Sequence, residues 1–237
     1  ESEKYSFDYG RILSSNIDAF KTNDILTDSI EFQNFSKAMS LLESFRMGKK
    51  STSEIFDIEL LSAFYAMIDL FGANHSLYYQ NLRYYYNPIT AYLEPVGFDG
   101  FHQSSNNGHS IKFLVADVDN KISKSNDTGI RDYVQLLFND EKFYRKYIKK
   151  LARYSERGYL DSAFKYLDEE IDENLNILNS EWPYLIFNKE TIYGNQNFIK
   201  QSLNPPKAIH AYLKLKNNEK IRVSISSIQL LPVKINN

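Results

Sequence analysis

A chain of 237 residues with a formal net charge of -2 and no cysteine is long enough to bury a sizeable core as one large domain or two small ones. The missing cysteines exclude disulfides, thiolate catalysis and Cys-based zinc sites, and the near-neutral charge gives no reason to expect nucleic acid or an anionic membrane as the main partner. No apolar run approaches the roughly 18 residues that cross a bilayer, and no basic-then-apolar signal opens the chain. The 18 Tyr and 16 Phe predict aromatic surfaces lining grooves as well as a core.

The chain starts at Glu1 without an initiator Met, so an upstream segment is expected. Residues 1 to 27 hold no sustained period and read as a loop-rich lead-in with one short strand or turn. Ile30, Phe32, Phe35, Met39, Leu42 and Phe45 recur at helical intervals and Gly48 stops them, which predicts a helix over about 29 to 47. Lys49 to Ser53 reads as a polar linker. Asp57 then sits where an N-cap belongs, with Phe56 as a staple residue, and Ile58, Leu61, Phe64, Tyr65, Ile68 and Phe71 predict a central helix buried on most sides.

Asn81 to Tyr86 reads as an aromatic strand, Asn87-Pro88 as a turn and Tyr92 to Phe98 as the returning strand. Gly100 to Gly108 reads as a Ser/Asn/Gly loop, Ile111 to Val118 as either strand or helix turn, and Asn120 to Gly129 as a loop. Four helices are expected next: a short one over Ile130 to Phe138, one capped by Asp140, one over Leu160 to Asn179 ended by Pro183, and one over Thr191 to Leu203. After Asn204-Pro205-Pro206, the segments Ile209 to Leu215, Ile221 to Ile225 and Ile228 to Ile235 read as strands. Three short strands leave an open edge, so they are expected to pair with a missing partner or to begin a truncated β domain. The expected fold is mainly α (α+β), with a helical body over 1-203 containing a central hairpin and a β tail over 204-237.

The densest run of site-type residues lies between Asp69 and Gly100. An apolar helix ends at Gly72, a polar turn presents Asn74 and His75, Asn81 opens one strand, and Asp99 ends the next. This order, with Tyr86-Asn87-Pro88 and Glu94-Pro95 between, resembles the CotH family of spore-coat-type kinase-fold proteins, and more closely a CotH-like branch of exported bacterial proteins. The likeness covers several residue types in order across Phe56 to Asp99 and the rest only in general pattern. It implies a kinase C-lobe-like body, with the ATP-covering N-lobe lying before Glu1. It further implies an exported or cell-surface protein that transfers phosphate from ATP to a protein hydroxyl with Mg²⁺ or Mn²⁺. Asp99 and Asn81 match the metal-binding Asp and loop Asn of that family. His75 falls where its kinases carry the catalytic acid, which is the departure from the pattern.

Taken on their own chemistry, these residues keep alternatives open. Phosphoryl transfer needs oxygen ligands around a divalent ion and a group that orients the acceptor hydroxyl, and Asp99 with Asn81 suits the first need. An Asp-Gly pair between apolar residues is also an ordinary hairpin turn, and Asn81 is also a local cap. A neutral His75 can accept a proton near pH 7, while a His at a helix end also gains from the helix dipole. Arg83 suits a phosphate, yet pairing with Glu94 across the hairpin is its simpler reading. His102 and His109 lack zinc-site spacing. The basic run Lys142 to Arg157 reads as a solvated helix face with the acids of Asp168 to Glu173 as partner. Against the phosphotransferase stands a second class: a catalytically silent kinase-like module that binds a protein or surface glycan through its aromatic groove and β tail.

Overall fold

The computed structural model describes residues 15–77, 81–100, 136–217, 220–228 and 231–232, and the readings for His102, His109, Ile111 to Val118 and Asn120 to Gly129 lie outside them, as do the loop expected beyond Gly100 and most of the helix expected over Ile130 to Phe138. The fold is mainly α, with two antiparallel hairpins. Two compact units divide the chain at Lys150. Among the described residues no helix is long and apolar enough to cross a membrane.

The first unit opens with α1 (Thr22–Thr27), a helix in the part expected to be loop, whose brevity leaves no period to read. α2 (Ser29–Arg46) follows, capped by Asp28, whose side chain accepts from the backbone N–H of Ile30 and Glu31. Residues 49 to 53, expected as a linker, instead lead into α3 (Thr52–Ile55). This helix is too short to show a period, but it is announced by a capping box in which Ser51 and Glu54 satisfy each other's backbone N–H groups. α4 (Ile58–Phe71) begins at Asp57, which caps Glu59 and Leu60 as its sequence position requires. It ends at Gly72, whose φ of 64° is open to glycine at little cost.

β1 (Arg83–Asn87) and β2 (Tyr92–Val96) pair antiparallel with Tyr85 opposite Glu94. Their turn is held by Asn87, whose side-chain oxygen accepts from Ile89 N at 2.9 Å. The hairpin is tied to the helices at Leu93: its carbonyl accepts from Asp57 N at 3.0 Å, and its side chain is buried. Phe56 bridges to Leu93 and packs between Phe45 at 5.3 Å and Tyr84 at 5.1 Å. Residues 136–138 are helical and bring Leu137 into the core, and α5 (Glu141–Tyr154) starts beyond them under the cap Asp140.

Asp140 also accepts from Ser53 N, which joins α3 to α5. Burial opposes its ionisation, but hydrogen bonds from Ser53 and from the backbone of Phe143 and Lys142 outweigh burial and hold the carboxyl below its usual range. The basic face of α5 finds its acid in Glu59 of α4, which pairs with both Lys146 and Lys150. The expected partner Asp168 pairs instead with Lys189.

The second unit comprises the end of α5, α6 (Tyr159–Asn179), α7 (Lys189–Leu203), β3 (Ile209–Lys216) and β4 (Ile221–Ser227). Leu151, Leu160, Phe164, Ile192 and Ile199 form its core, and Gln196 donates to the Tyr154 carbonyl at 2.8 Å to satisfy the end of α5. Two of the three expected tail strands pair as β3–β4, with a register shift between Leu213 and Leu215, and the third, expected over Ile228 to Ile235, lies largely outside the described residues. β4 is exposed along its whole length.

Candidate functional site

The end of α4 builds one wall of the site. After Gly72 the chain makes the 3-10 turn Asn74–Leu77, which places His75 on its surface and buries Ser76 and Leu77. Behind that wall Asp69, buried in the last turn of α4, accepts a hydrogen bond from the Tyr147 hydroxyl of α5. Burial, the Asp69 charge and this hydrogen bond push the Tyr147 phenol well above its usual range, so it stays a neutral donor. Sequence patterns do not reveal this pair. Its one signal is an acid standing among the apolar residues of a buried helix.

The hairpin builds the opposite wall. Asn81 lies just before β1 and is only 5% exposed, while Asp99 lies three residues past Val96, the last residue of β2. Asp99 has a φ of 51°, a left-handed conformation that Asp tolerates better than most residues but adopts at some cost. Gly100 follows against the first wall: a Cβ there would meet Ser76 Oγ at 2.7 Å. That close approach favours glycine at position 100. It is not legible in the sequence, because Ser76 and Gly100 meet only in space.

Three of the residues singled out from the sequence converge here. His75 Nδ1 lies 3.1 Å from Asp99 Oδ2 and 3.2 Å from the Asp99 carbonyl oxygen. Asn81 Nδ2 lies 3.0 Å from the His75 carbonyl oxygen, 3.2 Å from Asp99 Oδ2 and 3.0 Å from His75 Nδ1. The network is satisfied when the two amide hydrogens of Asn81 go to the His75 carbonyl and the Asp99 carboxylate, and Nδ1–H of His75 donates to Asp99. In a neutral ring this leaves the basic lone pair on Nε2. Asn81, nearly buried, is thus the clamp that sets the other two side chains, and the Asp99 side chain remains 43% exposed.

Arg83 does not pair with Glu94, which accepts from Asn87 at 2.8 Å. Opposite Val96 in the register, its guanidinium stands 4.7 Å from the ring centre of Phe98 and 5.5 Å from that of Phe20. Two aromatic faces therefore hold a cation beside the residue that precedes Asp99. Phe20 carries no mark of a site residue in the sequence, since nothing local ties it to the hairpin.

Chemically, the cluster offers a proton acceptor, a partly exposed carboxylate and an amide. Among the described residues no three His, Asp or Glu side chains gather as a metal cage. The Asp99 carboxylate is the hard oxygen donor of the cluster, while Asn81 turns its amide nitrogen, a hydrogen-bond donor, toward it. No family model, no curated protein and no solved structure matches this chain.

Proposed function

We propose that this chain is the C-terminal part of a CotH-like phosphotransferase, exported or at the cell surface, which moves the γ-phosphoryl group of ATP to a protein hydroxyl. One observation carries the reading: Asn81 donates to both His75 and Asp99, joining residues 24 apart in sequence into one cluster. A bound divalent ion would supply charge neutralisation on the phosphates, with the Asp99 carboxylate as its ligand and Asn81 holding that carboxylate in place. In this reading Arg83, which stands over the rings of Phe98 and Phe20, neutralises a phosphate oxygen.

In the transfer a bond forms between the acceptor oxygen and the γ-phosphorus while the bond to the β–γ bridging oxygen breaks and ADP leaves. The acceptor proton passes to Nε2 of His75, and the imidazolium so formed is stabilised by Asp99 through Nδ1–H. A histidine in this role differs from a permanently anionic acid in that it must be neutral to act.

Thermal unfolding of the chain with Mn²⁺, with ATP and with both tests the reading. A rise in midpoint that requires both ligands and disappears in Asp99→Asn is expected, because a ligand that binds only the folded state stabilises it, by about 2.7 kcal/mol at a hundredfold excess over Kd. No rise with both ligands, or an equal rise in Asp99→Asn, overturns it in favour of a silent binding module.

A further inference from the structure

The second unit carries a surface that the His75 cluster does not use. α6 is apolar along one stripe, and the stripe is divided in two. Leu160 and Phe164, in its first half, are 0% and 4% exposed. In its second half Leu167, Ile171, Leu175 and Leu178 line, with Phe187, an open groove of about 320 Å³. The connection to α7 continues the apolar surface: Trp182 is 58%, Tyr184 92% and Ile186 81% exposed. A contiguous apolar surface of this kind is uncommon on a chain that has no partner for it.

Acids flank the groove on both sides. At 100° per residue, Glu170 falls along one side of the stripe, where it lines the groove, and Asp168 and Asp172 fall along the other. Asp168 pairs with Lys189, whereas Glu170 and Asp172 have no ion-pair partner among the described residues. The last turn of α6 contains no basic residue that would balance them. An anionic bilayer or a nucleic acid would be repelled by such a rim. The chain's own basic helix α5 is committed elsewhere, since its apolar residues Phe143, Tyr147 and Leu151 are fully buried in the folded protein.

We infer that this groove docks a basic amphipathic helix of another protein. The apolar residues of that helix, spaced three and four apart, fill the space between α6 and Phe187, and its Lys and Arg side chains meet the acids on the two rims. Shape gives the site its affinity and the double acidic rim gives it selectivity. The inference rests on the second unit alone and does not depend on the phosphotransferase reading.

The protein supplies its own reporter, because Trp182 is its single tryptophan and its backbone N–H donates to the Leu178 carbonyl at the end of the groove. The probe is a synthetic helical peptide of Leu and Lys without aromatic residues, titrated against the chain while Trp182 emission is followed. The expected result is a saturable blue shift that is roughly tenfold weaker in affinity for the double variant Glu170→Lys/Asp172→Lys, which reverses one exposed acid on each side of the groove. A similar loss is expected for Leu175→Ser, with circular dichroism checking that the variant is folded. The inference is overturned if a Leu/Glu peptide of the same pattern binds as well, or if the double variant binds like the parent. It is equally overturned if phosphatidylglycerol vesicles shift the emission and the peptide does not. A blue shift that grows with protein concentration alone, alongside dimer formation in sedimentation, would give the groove to a second copy and also overturn it.

Discussion

The two hairpins are built from similar material and stand in opposite situations. β1–β2 is anchored from one side by Phe56, Leu93 and the Asp57–Leu93 backbone bond, so its strands present Asn81 and Asp99 at fixed positions. β3–β4 is longer, yet Tyr212, Leu213, Val223 and Ile225 all face water. A lone two-stranded ribbon is marginal in water. Pairing strands is therefore not what makes a hairpin a platform. Burying one of its faces is.

The contrast is broken most directly by truncating one apolar residue in each hairpin. Leu93→Ala is expected to cost about 3 kcal/mol in urea unfolding, since it empties a buried site, whereas Leu213→Ala on the exposed hairpin stays within about 0.5 kcal/mol. Equal costs would mean that β3–β4 is as firmly supported as β1–β2, contrary to its exposure.

Behind the first platform, Tyr147→Phe removes the hydroxyl that Asp69 accepts from, at an expected cost of about 2 kcal/mol. Its pH dependence has a definite sign. The folded phenol is raised above the ordinary value of 10.0, so the Tyr147 contribution is present below that pH and is lost as pH rises toward the folded value. The difference between parent and Tyr147→Phe should therefore shrink in alkaline solution, and a difference that grows there would contradict the assignment.

Asp140→Ala takes away the cap of α5 and its bond to Ser53, at about 1 kcal/mol. Here the sign is reversed. A carboxyl held below its ordinary value of 3.8 stabilises the fold above that pH and ceases to do so as pH falls through its folded value. Urea midpoints of parent and variant should converge only in acid.

The smallest effect is the sharpest on the site. Gly97 has open space where a Cβ would stand, so Gly97→Ala is expected to lie within about 0.5 kcal/mol of the parent. Gly100→Ala drives a Cβ into Ser76 and should displace Asp99 from His75. It should therefore diminish any stabilisation by Mn²⁺ with ATP more than it changes stability itself. Equal ligand responses in the two alanine variants would show that the contact between the walls does not set the cluster.

Much of this molecule is legible in its amino-acid sequence. Asp57, Asp140 and Gly72 announce helix ends because capping is local chemistry, satisfied within a few residues. The periods of α2, α4, α6 and α7 and the Asn87-Pro88 turn are equally local, and His75, Asn81 and Asp99 stand out by residue type and order. The helices α1 and α3 escape because they are shorter than the window in which a period can be seen. Only the tertiary structure decides which side chains meet. It takes Arg83 from Glu94 to the ring of Phe98, sets Tyr147 on Asp69, presses Gly100 against Ser76 and makes Asn81 the clamp between His75 and Asp99. Those outcomes depend on contacts between residues distant in the chain, and they are settled by burial and hydrogen-bond satisfaction in three dimensions, which no local pattern encodes.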